Sequence, residues 1–119
     1  MNIADTHPSK EDEEEIQKFI NSKDLLKAKK KINDLGLVYK NSLTVIYYDS
    51  FIKNLEGDFD GAINGYKKLI QMNPNIWLFN HNLGLIYFTQ KKYQDAIEPF
   101  EAATNIEDNK LSFHYLGCC

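Results

Sequence analysis

The chain of 119 residues contains no arginine, and all 14 of its basic residues are lysines. Its formal net charge is −3. Proteins that recognise phosphates and base edges favour the planar guanidinium group of arginine and a positively charged surface. The composition therefore argues against nucleic acid as a partner.

Cysteine and long apolar runs are equally scarce. The only cysteines are the last two residues, Cys118 and Cys119, and adjacent cysteines cannot staple a core. This usage fits a reducing compartment, and we expect the cytoplasm. No apolar run approaches the roughly 20 residues of a membrane-spanning helix, and the polar, acidic N-terminal segment does not resemble a secretory signal. We therefore expect no membrane insertion.

Motifs of catalysis and of cofactor binding are also missing. The sequence holds no glycine-rich phosphate loop, zinc-finger spacing or nucleophile elbow. His81, His114 and Cys118 are residue types that bind zinc, but no fourth ligand is obvious, and the axes of neighbouring helices lie roughly 8–10 Å apart. We expect no catalytic residue, no cofactor and no metal, and hence no enzyme.

The most informative feature that is present is a 34-residue period. Ala28, Ala62 and Ala96 lie 34 residues apart, and each is followed four residues later by a large apolar residue. A fixed period of this size indicates stacked supersecondary units, none of which can bury its apolar face alone. We expect each unit to be a helical hairpin in which the alanine lets the two helices approach closely.

The third unit carries a recognisable motif. Residues 80–87 read NHNLGLIY, and Ala96 and Phe100 follow. This resembles the tetratricopeptide repeat, whose pattern is W-x2-L-G-x2-Y, then A-x3-F, then P. Asn80 stands in the place of the Trp, and Asp108 stands in the place of the closing Pro. The resemblance implies an all-α fold, a right-handed α-α superhelix of stacked 34-residue repeats, and a function in binding proteins.

The period also sets the expected organisation of the chain. We expect a disordered lead over residues 1–8 and a single repeat domain over residues 9–119. The expected repeats are 9–42, 43–76, 77–110 and a partial repeat 111–119. The expected helices are 10–21, 24–35, 43–55, 58–72, 76–90, 93–106 and 110–119. Because the partial repeat lacks a second helix, the chain is either a fragment of a longer array or is covered at this end by a second copy or another subunit.

Helix ends are indicated at two places. Ser9 and Asp12 have the spacing of an approximate capping box at the start of the first helix. Gly36 predicts the end of the second helix, because glycine commonly terminates helices.

The sequence predicts the surroundings of two acidic residues, Glu15 and Asp49. Folding the first hairpin back on itself sets Glu15 near Lys30. Asp49 stands where the repeat expects a core leucine, so it is either a strained buried acid or is exposed by a shift of register.

A candidate binding groove follows from the register of the repeats. In such a stack the first helices of successive units line a concave wall, and an aromatic wall with few charges suits an extended or helical apolar peptide. The residues expected there are Tyr47, Phe51, Asn54, Leu78, His81, Leu85, Phe88, His114 and Tyr115. The alternative is that several of them only pack between neighbouring helices.

The sequence thus suggests two functions. The first is a non-enzymatic adaptor that holds a protein segment in the groove. The second is an architectural subunit of a larger multiprotein assembly, for example a ciliary or trafficking complex, with contacts on the outer face and through residues 111–119. One subclass of the family holds the C-terminal carboxylate of heat-shock chaperones with Lys, Asn and Arg side chains. Only Asn82 fits that pattern here, so we do not expect this ligand.

Overall fold

The computed structural model describes residues 7–106 and 110–118, except for the side chains of Lys110, Leu111 and Phe113. Within these ranges there are seven α-helices and no strand, which confirms the expected all-α fold. The helices are α1 Lys10–Asn21, α2 Leu25–Val38, α3 Leu43–Leu55, α4 Phe59–Met72, α5 Trp77–Thr89, α6 Tyr93–Ile106 and α7 Lys110–Cys118. Most of the expected lead, Asp108 and Cys119 lie outside the described residues.

The predicted helix ends agree with the observed ones within one residue, except at the end of α2. The prediction that Gly36 stops this helix is wrong, because α2 continues to Val38. A glycine ends a helix when it takes the left-handed conformation, whereas Gly36 has no positive φ. Instead Tyr39 caps the helix, and its N–H donates to the carbonyl of Leu35 at 2.8 Å.

The chain forms two compact units, divided after Asp58. The first unit contains α1, α2 and α3. Ala28 is completely buried, as expected for the small residue of a helical hairpin. The core around it consists of Ile16, Ala28, Ile32, Leu35, Val45, Tyr48 and Ile52. These positions recur at spacings of three, four and seven along the helices, so each helix turns one apolar stripe inwards.

The start of α1 is fixed by the expected capping box. The hydroxyl of Ser9 accepts from the N–H of Asp12 at 3.2 Å, and the carboxylate of Asp12 accepts from the N–H of Ser9 at 3.3 Å. The ammonium group of Lys31 lies 2.9 Å from the same carboxylate and 3.3 Å from the carboxylate of Glu15. The expectation that Glu15 lies near Lys30 is therefore off by one residue, because the hairpin turns Lys31 towards α1.

The ion pair between Asp12 and Lys31 shifts the pKa of both partners. The hydrogen bond from Lys31 lowers the pKa of Asp12 below its usual value, and the hydrogen bond to Asp12 raises the pKa of Lys31. Because the group is close to the surface, its net contribution to stability is small, typically about 0.2–1 kcal/mol.

Asp49 is half-exposed and forms an ion pair along α3. Its carboxylate lies 3.0 Å from the ammonium group of Lys53, one turn later, and 44% of its side chain is accessible. Of the two alternatives that the sequence left open, the buried acid is therefore wrong.

The second unit contains α4, α5, α6 and α7, with α5 and α6 as its most extensive helix pair. Ala62 and Ala96 are again completely buried, as is Phe100. Gly84 on α5 faces the ring of Phe100, and a Cβ atom placed on this glycine would lie 2.8 Å from two ring carbons. The absence of a side chain at Gly84 therefore sets the separation of α5 and α6.

The turns that end α1, α3 and α5 repeat with the same 34-residue period. Lys23, Gly57 and Lys91 have positive φ values of 62°, 85° and 62°. In each turn the N–H of the following residue donates to a carbonyl five residues earlier, at 2.8 Å. This is the Schellman arrangement, which favours glycine because the left-handed conformation strains residues with a Cβ atom. Two of the three turns therefore carry a lysine under strain.

Lys91→Gly is expected to raise the free energy of unfolding by about 0.5–1 kcal/mol, because it removes this strain from the turn between α5 and α6. Gly57→Ala is the matched reverse change. It meets no atom within 4 Å, so it tests backbone strain alone and should destabilise by a similar amount. Urea denaturation of both variants measures the two effects. A destabilised Lys91→Gly variant would contradict the assignment of strain.

Candidate functional site

Helix α5 is the centre of the candidate site because none of its 13 residues is charged. Its inner side packs in the core of the second unit through Phe79, Leu83 and Ile86. Leu78 and Leu85, seven residues apart, lie on the other side of the helix and remain partly exposed. The helix thus presents apolar surface outwards as well as inwards.

His81 lies on the same face but is nearly inaccessible, with 4% of its surface exposed. Its Nδ1 atom is 2.8 Å from the hydroxyl oxygen of Ser112, which is itself completely buried. Its ring contacts those of Trp77, Phe100 and Tyr115. Burial lowers the pKa of His81 below its usual value, because the cation would lose its hydration there.

Tyr115 joins α7 to this cluster. Its ring stacks on Phe100 at a centroid distance of 5.5 Å with planes 11° apart, and it meets Phe88 edge to face at 5.1 Å. His114 also contacts the ring but is exposed. Tyr115 is half-buried, so most of its role is to hold α7 against α5 and α6. The sequence could not separate this packing role from a role in the groove.

In the first unit, Tyr47, Phe51 and Asn54 are each half-buried on α3. They follow one another at spacings of four and three residues, so they share a face of the helix. The rings of Tyr47 and Phe51 stack at 6.3 Å, and Tyr47 also meets Tyr48 edge to face at 5.3 Å. These side chains form a partly accessible aromatic strip.

Of the nine residues expected in a groove, eight retain accessible surface and His81 does not. They fall into two groups, one in each unit. The assignment of a ligand to them remains a prediction. Two polar side chains occupy positions that match the chaperone-tail subclass, and both form hydrogen bonds inside the protein. Gln17 donates to the hydroxyl of Tyr48 at 3.1 Å, and Asn82 donates to the hydroxyl of Tyr66 at 3.5 Å.

A second exposed apolar surface was missed by the sequence reading. On α2, Leu26, Leu37 and Val38 are 80%, 75% and 71% exposed. Large apolar residues outside the recurring core positions of a repeat are the signal that would have revealed them.

Within residues 7–106 and 110–118, no three histidine, cysteine, aspartate or glutamate residues come together in a way that suits a metal ion. In the same described part of the chain, each helix is too short or too polar to cross a bilayer.

Comparisons with known proteins agree with this architecture. The model of the tetratricopeptide repeat matches residues 79–110, which span α5 and α6. A comparison with curated protein sequences gives no significant match. The crystal structure of MamA superimposes with a TM-score of 0.76 at 16% identity, over 87% of this chain and 61% of the MamA chain. This chain therefore spans less than two thirds of that protein, and at this identity the similarity concerns the fold alone. The chain therefore contains a segment that matches the tetratricopeptide repeat over residues 79–110, and it has a helical-repeat solenoid fold of the kind that this repeat forms.

Proposed function

We propose that this chain is a non-enzymatic adaptor that binds an apolar peptide or helix of a partner protein along the first helices of its repeats. Tetratricopeptide repeats are in general protein-interaction modules, and the family supports that broader role. We place the adaptor in the cytoplasm, on the basis of its cysteine usage. The peptide ligand and its position on these helices are the specific parts of the proposal.

The observation that carries the proposal is the uncharged outward face of α5. Leu78, Leu85 and Phe88 are all partly accessible, and the helix has no charged side chain to hydrate that face. Amphipathic helices bind such surfaces by inserting side chains at i, i+3, i+4 and i+7. The half-buried strip of Tyr47 and Phe51 offers the same chemistry on α3.

The test places a photo-crosslinking phenylalanine analogue at Leu85 and, as the matched control, at Leu26. Both positions hold an exposed or half-exposed leucine on a helix, but Leu26 lies on α2, which is the second helix of its repeat and not part of the proposed surface. Crosslinking in native extract should yield a defined adduct from position 85 only. A Leu78→Ser variant of the position-85 probe should lose that adduct while keeping its helical circular dichroism spectrum. Equal adducts from both positions would contradict the proposal.

The second candidate is the architectural subunit, and the exposed apolar side chains of α2 favour it. Leu37 and Val38 present adjacent apolar surface at the end of the helix. Such surface is typical of contacts between proteins when it is contiguous. In this case Leu37→Ser/Val38→Ser would reduce assembly without changing the crosslinks from position 85. Light scattering after size exclusion distinguishes this outcome from the first.

A further inference from the structure

A cleft of about 510 Å³ lies in the second unit, between α4, α5 and α6. Its floor includes Asn80, Leu83 and Tyr87, which recur at spacings of three and four along α5. These residues lie about half a turn around α5 from Leu78 and Leu85, so the cleft is separate from the surface proposed above.

The cleft exists because a small residue replaces a large one. Asn80 stands where the repeat pattern has tryptophan, so the side chain that lines the cleft at this position is smaller than the pattern predicts. Asn80 is 7% exposed and lines the cleft. Within the described part of the chain, no hydrogen bond reaches its amide group. Its amide atoms are not among the buried, unpartnered polar atoms, so they reach solvent through the cleft and are available to a ligand there.

The charged side chains around the cleft are two carboxylates and one ammonium group. The carboxylates of Asp95 and Glu98 stand on the α6 side, and neither forms an ion pair with any described residue. Pro99 also lines the cleft and has no N–H group, so the carbonyl of Asp95 loses the donor that residue 99 would normally supply. Lys67 supplies one positive charge from α4. The two carboxylates outnumber the one ammonium group, so the α6 side of the cleft is negative.

We propose that this cleft binds the arginine side chain of a partner protein. A guanidinium group brings five donors in one plane, which suits two carboxylates, the carbonyl of Asp95 and the Oδ1 atom of Asn80. Its methylene stem packs on apolar surface such as Leu83, and its planar head stacks on a ring such as that of Tyr87. A neutral aromatic side chain would fill the same volume but would leave both carboxylates without a partner. The chain itself contains no arginine, so the ligand comes from another protein.

The test is an NMR titration of the full chain, labelled with nitrogen-15, with N-acetyl-arginine methylamide. The matched probe is the citrulline compound, which has nearly the same shape but no charge. The arginine compound should cause saturable shifts of the Asn80 side-chain NH2 and the Glu98 N–H signals. The citrulline compound should bind about tenfold more weakly, since a hydrogen bond to a charged group contributes roughly 1.5–3 kcal/mol.

Two variants make the outcome decisive. Glu98→Gln changes only the charge on the α6 side and should weaken binding of the arginine compound about tenfold. Asn80→Trp restores the residue of the repeat pattern, fills the cleft and should abolish the shifts. If Asn80→Trp does not fold, the Glu98→Gln result decides alone. Equal binding of the two probes, or shifts that do not saturate, would overturn the proposal. Leu78→Ser should leave this titration unchanged, so failure of the peptide surface and failure of the cleft are distinguishable.

Discussion

Gly84→Ala is expected to lower the free energy of unfolding by about 2 kcal/mol. The added methyl group would lie 2.8 Å from two carbons of the Phe100 ring. That ring is completely buried and held between His81 and Tyr115, so it cannot move away. Overpacking of this kind costs up to about 3 kcal/mol of stability, and the better helix propensity of alanine offsets about 1 kcal/mol of that loss. Urea denaturation followed by circular dichroism measures the difference.

Gly117→Ala is the matched control, because this glycine also lies in a helix but has no atom within 4 Å of the added methyl group. It should be neutral or slightly stabilising. A double-mutant cycle with Phe100→Leu then identifies the clash: the combined loss should be smaller than the sum of the two single losses, since the smaller side chain makes room. If Gly84→Ala behaved like Gly117→Ala, the close approach of α5 and α6 would not depend on glycine.

The stability of the chain is expected to fall as the pH drops below about 6.5, and His81 is the reason. Its pKa is lowered in the folded state by burial, whereas in the unfolded state it returns to about 6.5. As the pH falls through that value, the unfolded chain binds a proton that the folded chain does not. Stability is therefore complete above about 6.5 and declines below it, with a slope of at most about 1.4 kcal/mol per pH unit.

His81→Asn should remove this slope whatever its effect on stability at neutral pH, because an amide can still bond to Ser112 but does not titrate. His114→Gln is the control, since it removes a histidine that is exposed and not buried. Denaturation midpoints measured at several pH values give the slopes. A slope that persists in His81→Asn would show that another group binds the proton. The Asp12–Lys31 pair does not interfere, because it loses its effect only in more acidic or strongly basic solution.

The helical architecture was predictable because it depends on spacing. Ala28, Ala62 and Ala96 repeat every 34 residues, and all three are completely buried in the structure. The helix boundaries followed from the same period together with local signals such as the capping box of Ser9 and Asp12. Local hydrogen bonds and apolar periodicity act over a few residues, so a sequence displays them directly.

Other features were not predictable from these signals. Gly36 has the residue type of a helix stop, but it stays helical. Lys23 and Lys91 take the conformation that glycine prefers, because their turns must close the same hairpin as the turn at Gly57. Residue type gives only a preference, and the geometry of the hairpin decides.

The sequence alone therefore determined the kind of element, its length except at the end of α2, and the alanines that each hairpin buries. Only the tertiary structure decided how accessible the candidate site residues are. His81 and Tyr115 belong to the same predicted surface as Leu85. However, contact between α7 and α5 buries His81 and leaves Tyr115 half-buried. The cleft beside Asn80 likewise depends on three helices meeting around a small side chain. Accessibility is a property of neighbours distant in sequence, and the period of a repeat does not encode it.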